Sequence, residues 1–177
     1  MPAQSRLLLN ESSEGKVRFV EASPERAPDL RTTGMVTGAL WSDADGYGWI
    51  DLLVTHEWGP VKLFRNEKGT LVDVTEKSGL HKHLGWWNSI TGGDPDNDGD
   101  IDYAVGNVGL NTKYHADPGH PVILYYGDYG DEGVKRLVEA KYENDVIVPA
   151  RGKSCSTKAM PHLSKKFGTF HQFASAT

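Results

Sequence analysis

The sequence is poor in the features that would place it in a membrane, in a disulfide-stapled class or on nucleic acid. It has a single cysteine, Cys155, so no internal disulfide can form, and the redox compartment stays open. The surrounding stretch Gly152-Lys153-Ser154-Cys155-Ser156 matches no nucleophile motif and lacks the upstream glycine of a P-loop. Cys155 is therefore expected to be a small buried thiol. No apolar run approaches the roughly 18 residues that a membrane-spanning helix needs. The opening residues Met1-Pro2-Ala3-Gln4-Ser5-Arg6 lack the apolar core of a signal peptide. Positive charge is outnumbered, with 19 Lys and Arg against 24 Asp and Glu, a formal net charge of −5. That balance argues against nucleic acid or an anionic membrane surface as a partner.

What is abundant is glycine and internal repetition. The 177 residues include 20 glycines, and many tight turns imply many short strands. Residues 34–43 lead into Asp43-Ala44-Asp45-Gly46-Tyr47-Gly48-Trp49-Ile50-Asp51. Residues 85–94, 51 positions later, lead into Asp94-Pro95-Asp96-Asn97-Asp98-Gly99-Asp100-Ile101-Asp102. Each copy continues as a strand candidate, residues 52–55 and 103–106. A second element also recurs: residues 7–11 with 15–20 resemble residues 63–67 with 69–75. Both read as hairpins with a glycine-containing turn. The pieces form a unit of about fifty residues and about four strands, the size of a propeller blade.

Carboxylates in the second loop fall at positions one, three, five, seven and nine: Asp94, Asp96, Asp98, Asp100 and Asp102. In a tightly wound loop alternate side chains converge, and hard oxygen ligands at one point suit Ca2+, which accepts six to eight of them in a forgiving geometry. Gly99 at position six supplies a bend that a β-carbon would resist. The expected ligands are the side chains of Asp94, Asp96, Asp98 and Asp102 with the backbone carbonyl of Asp100, and Ile101 is expected to anchor the loop in the core. Without a cation, two carboxylates about 4 Å apart repel by roughly 1 kcal/mol even at water's dielectric. The first loop keeps Asp43, Asp45 and Asp51 at positions one, three and nine, and Gly48 at six. Tyr47 and Trp49 stand at five and seven, so weaker binding is expected there. An EF-hand is excluded: it requires Glu at position twelve, where Val54 and Val105 stand.

A third, decayed copy starts at Asp128, after the strand candidate 122–126, with Gly130 at position three, Glu132 at five and Arg136 at nine. No metal is expected there, since an arginine at position nine can replace the ion. Residues 146–149 read as a last strand, and 158–166 and 169–174 as short helices separated by Gly168. The expected fold is all-β: two to three β-propeller-type blades, an incomplete propeller, with short C-terminal helices. We read one domain over 1–177, divided into a partial repeat at 6–33, a repeat with loop one at 34–84, a repeat with loop two at 85–127, and a degenerate repeat with a helical tail at 128–177.

The loops, the Leu63-Phe64-Arg65-Asn66-Glu67 hairpin and the stretch Asp73-Val74-Thr75-Glu76-Lys77-Ser78-Gly79-Leu80 resemble FG-GAP/VCBS repeats. Such repeats form the blades of integrin-α-like β-propellers and occur beside ASPIC/UnbV domains in large bacterial surface proteins. The resemblance spans residues 6–140. It is most specific over 85–111, where Gly85-Trp86-Trp87-Asn88-Ser89 and Gly106-Asn107-Val108-Gly109-Leu110-Asn111 match the bacterial version, and the tail from Met160 resembles a helical insertion of that group. It implies an extracellular or cell-envelope setting. A closed propeller has about four to eight blades, more than this chain supplies.

Three functional readings follow. The first is a calcium-stabilised scaffold that binds a protein or carbohydrate ligand, with no catalytic residues assigned. The second is a metal-dependent hydrolase using the Asp-rich loop, which would need an open coordination position and a nearby base. The third is an assembly element that forms a homo-oligomer through exposed blade edges. His81 and His83 lack a third ligand at useful spacing and read as a solvated loop. Trp41, Trp49, Trp58, Trp86 and Trp87 divide between core positions and an aromatic sugar-binding surface, with at least one of the adjacent Trp86 and Trp87 in the core. Lys158, Lys165 and Lys166 read as a solvated helix face.

Overall fold

The computed structural model describes residues 4–129 and 133–176. It is mostly β, with several small antiparallel sheets that do not close into a ring, and few, short helices. This is the all-β, incomplete propeller-like architecture expected from the repeats. The fold groups into two units, 1–108 and 109–177, and the division falls inside the segment 85–127.

In the first unit, β1 (Leu8–Asn10) and β2 (Phe19–Glu21) pair as a short hairpin. The helical turn α1 (Ser23–Arg26) and a 3-10 turn at Pro28–Thr32 follow. Next come β3 (Met35–Ser42), β4 (Asp51–Glu57), the two-residue β5 (Gly59–Pro60), β6 (Lys62–Glu67) and β7 (Thr70–Asp73). Strands β3, β4, β6 and β7 form one four-stranded antiparallel sheet in that order, a complete blade. Then β8 (Leu84–Gly85) pairs with β5, and β9 (Trp87–Gly93) pairs with β10 (Asp102–Asn107).

The turn between β6 and β7 explains why that hairpin forms. Lys68 and Gly69 both take positive φ, 54° and 96°, the two-residue geometry whose twist matches that of the flanking strands. Strand β4 is the centre of the blade, buried from Asp51 through His56. Its Leu52 and Val54 pack with Phe64 of β6, Leu71 of β7 and the N-terminal Ala27 and Leu30. His56 is buried at its far end. The Pro60 carbonyl can only accept, so it takes the Nδ1 proton at 2.9 Å, leaving Nε2 to accept from the Thr33 hydroxyl at 3.1 Å. Burial lowers the pKa of this histidine, because the charged ring would lose its hydration.

The second unit contains β11 (Ile123–Gly127), β12 (Arg136–Glu143) and β13 (Val146–Pro149) in one sheet, then α2 (Lys153–Ala159), α3 (Leu163–Lys166) and α4 (Phe170–Ala174). The expected helix over 158–166 is corrected. It divides at Met160 and Pro161, because proline lacks an N–H and forces the preceding residue out of helical geometry; Met160 stands at φ −131°, ψ 82°. The first piece also begins earlier, at Lys153. Cys155 is exposed rather than buried. Ser156 takes the inward position on α2, its hydroxyl donating to the Arg151 carbonyl at 2.9 Å.

Candidate metal centre

Both aspartate loops are the turns of β-hairpins, and their frames are the same. Ser42 pairs with Asp51 at the mouth of loop one, and Gly93 pairs with Asp102 at the mouth of loop two. In each, the position-one carboxylate bends back over the turn: Asp43 Oδ2 accepts from the Gly48 amide at 2.8 Å, and Asp94 Oδ2 from the Gly99 amide at 3.1 Å. The position-three side chain accepts from the amide two residues on, Tyr47 at 3.3 Å in loop one and Asp98 at 3.4 Å in loop two. This is the local turn that aspartate favours. Gly48 and Gly99 stand at φ 83° and 95°, the bend expected at position six. Position four is left-handed too, with Gly46 at 71° and Asn97 at 60°. The sequence signal for it was Asn97, since asparagine tolerates this region better than most residues.

The hairpin between β11 and β12 keeps the same frame. Gly127 pairs with Arg136, and Asp128 Oδ2 accepts from the Gly133 amide at 2.6 Å. Positions three and five of this copy, Gly130 and Glu132, lie outside the described residues.

The carboxylates gather differently in the two loops. In loop one Asp43, Asp45 and Asp51 each offer an oxygen within 4.8 Å of the others; in loop two Asp94, Asp96 and Asp98 do so. Asp100 and Asp102 stand outside the second group. Asp100 donates its backbone amide to Asp98 Oδ1 at 2.9 Å, and Asp102, the expected position-nine ligand, is exposed. Its counterpart Asp51 is 1% exposed. Ile101 is 45% exposed and does not reach the core; Ile50, at the same position of loop one, is 51% exposed, so position eight points outward in both turns.

What holds Asp51 is the third strand of its blade. Asp51 Oδ1 accepts from the Asn66 amide of β6 at 2.7 Å, and Oδ2 from the Ala44 amide at 3.1 Å. The Asn66 side chain completes the brace: its Nδ2 donates to the Ile50 carbonyl at 2.9 Å, and its Oδ1 accepts from the Gly69 amide at 2.7 Å. Asn66 was missed as a supporting residue. Its signal was present in the hairpin motif Leu63-Phe64-Arg65-Asn66-Glu67, which carried the repeat.

One atom tests whether these residues suit a cation. Asp43 Oδ1 is buried with no hydrogen-bond partner, inside a group of three carboxylates. A buried carboxylate oxygen without a donor is costly, and a divalent cation bound by the group would satisfy it. The donor set is all oxygen, the chemistry of a hard ion. The residues therefore fit a divalent cation.

Residues 43–105 match the family model of the FG-GAP-like repeat, a span that begins at the first residue of loop one and ends in β10. The match covers just over a third of the chain, and repeats of this kind suggest an interaction scaffold. No curated protein and no solved structure matches the chain. Among the described residues, no helix is long and apolar enough to cross a membrane.

Proposed function

We propose that the protein is a calcium-binding interaction module, in which Asp-rich hairpin turns bind Ca2+ and hold blade edges rigid for a protein or carbohydrate partner outside the cell or in its envelope. The reading rests chiefly on the unpartnered, buried Asp43 Oδ1 within the Asp43, Asp45 and Asp51 group. Calcium, when bound, supplies the positive charge that three converging carboxylates lack. The chain itself supplies the frame. The position-one and position-three aspartates bend the loop through its own amides, and Asn66 fixes the far end of loop one to β6. In loop two the ligands are Asp94, Asp96 and Asp98, with Asp100 and Asp102 added as the loop closes. Sites of about 10⁻⁴ to 10⁻³ M affinity suffice where calcium is plentiful.

The test is thermal unfolding with calcium and with chelator. At a hundredfold excess over the dissociation constant, calcium should stabilise the wild type by about 2.7 kcal/mol. Asp43→Ala and Asp98→Ala should each reduce the shift. A wild-type midpoint that does not move with calcium refutes the proposal.

A second reading is favoured by one observation. Val17 and Phe19, in and beside the β1–β2 hairpin, are 80% and 58% exposed, and exposed apolar strand edges pair with other chains. Self-association through this hairpin is measured by light scattering: Phe19→Lys should leave a smaller species than the wild type.

A further inference from the structure

Loop one departs from loop two at positions five and seven. Where loop two has Asp98 and Asp100, loop one has Tyr47 and Trp49. Neither ring is taken into the core: Tyr47 is 79% and Trp49 46% exposed. Both line an open groove of about 500 Å³, walled also by Asp45, Arg65, Glu67 and Lys68. The two positions that are acidic in loop two thus form the aromatic wall of a concave surface in loop one.

We infer that this groove binds an uncharged saccharide, with the faces of Trp49 and Tyr47 against sugar rings and the side chains of Arg65 and Glu67 toward its hydroxyls. The inference deepens the scaffold reading and rests on it, naming the class of ligand.

The charge pattern selects this ligand. With calcium in loop one, the carboxylates of Asp43, Asp45, Asp51 and Glu67 are balanced by the ion together with Arg65 and Lys68, and Arg65 is already ion-paired with Glu67. A groove with no net charge gives neither an anion nor a cation an advantage. Carboxylates and a guanidinium are planar groups with two acceptors or several donors in fixed positions, which suits neighbouring hydroxyls. Tyr and Trp provide broad, rigid contact area at low entropic cost. A protein hot spot would instead centre such rings in a wide, desolvated patch, whereas here they share the wall with ion-paired, solvated side chains.

The experiment is calorimetric titration of the full chain, in calcium, with cellohexaose, xylohexaose, maltohexaose and N-acetylchitohexaose. Saturable binding of at least one is expected. Trp49→Ala and Tyr47→Ala should each weaken it by about tenfold or more, while Trp41→Ala, at an exposed ring outside the groove, should not. The thermal midpoint of each variant, with calcium and with chelator, is measured alongside as a check on folding. Absence of binding to all four sugars, or binding equally indifferent to Trp49→Ala and Tyr47→Ala, overturns the inference. If the calcium shift persists in that case, the scaffold reading survives alone; if the wild type shows no calcium shift, it is the scaffold reading that fails.

Discussion

Loop one and loop two share a strand register, a turn geometry and a position-one capping contact, yet they stand in different surroundings. Loop two carries the richer set of acids, five in nine residues, but its hairpin is two-stranded and its position-nine aspartate faces solvent. Loop one has lost two acids and gained a brace. Its Asp51 is buried against the third strand through Asn66. Ligand number and preorganisation are thus separable, and the same motif is built once with each.

The largest effect should come from Asp51→Ala measured in chelator. It removes a buried carboxylate and leaves the Ala44 and Asn66 amides without acceptors, costing about 3 kcal/mol in thermal or denaturant unfolding. Asp102→Ala, at the same loop position, should cost less than about 0.5 kcal/mol under those conditions. Equal losses would break the comparison.

Next is the cation itself. With calcium present, Asp98→Ala should remove a larger part of the roughly 2.7 kcal/mol stabilisation expected at hundredfold excess than Trp49→Ala removes. The measurement is the calcium dependence of the unfolding midpoint.

A smaller effect is expected within the second unit. After β10 the chain continues as an irregular segment to β11, and in the second unit that segment is held by side chains. Tyr114 donates to Glu139 Oε2 at 2.7 Å, and Arg151 pairs with both Glu139 oxygens at 2.7 and 3.0 Å. Arg151, then the Tyr114 hydroxyl, hold the Glu139 carboxyl below the usual range despite partial burial. A depressed carboxylate contributes stability that is present above its unfolded pKa and is lost as pH falls through the folded one. Tyr114 is pushed up to about 12, by burial first and then by Glu139, so its share is full below its ordinary value of 10.0 and disappears as pH rises through the folded value. Glu139→Gln should cost about 1.5 kcal/mol and flatten the acid limb of the stability profile.

Tyr47→Asp should restore a position-five ligand to loop one. One added carboxylate about 4 Å from a cation is worth on the order of 1 kcal/mol or more in water, several-fold in calcium affinity by titration. No gain would show that the brace, not the acid count, sets affinity there.

The smallest effect is at His120, which bridges Asp117 at 3.2 Å and Asp145 at 2.7 Å. The hydrogen bond to Asp145 first, then that to Asp117, raises its pKa. A raised histidine stabilises fully below its unfolded value, 6.5, and the contribution fades as pH rises through the folded one. In an NMR titration Asp145→Asn should lower the His120 pKa; an unchanged value would dismiss the bridge.

Much of the site was legible because turn chemistry is local. The aspartates at positions one and three, and the glycine at six, form their contacts within a few residues. Proline at position 161 carries the break in the tail in the same local way. The failures were contacts across sequence. Asp51 and Asp102 occupy identical positions in one motif, and nothing within either loop distinguishes their burial. Ile101 and Cys155 read as core residues from their chemistry; Ile101 stands exposed at position eight, as Ile50 does in loop one, and on α2 the inward place goes to Ser156 rather than Cys155.

By itself, then, the sequence determined the hairpins, their register and the convergence of three acids in each turn, since backbone sterics and short-range hydrogen bonds decide these. Only the tertiary structure decided which turn is braced, because the amide that holds Asp51 comes from a strand fifteen residues away, and among the described residues the two-stranded hairpin of loop two has no such strand beside it.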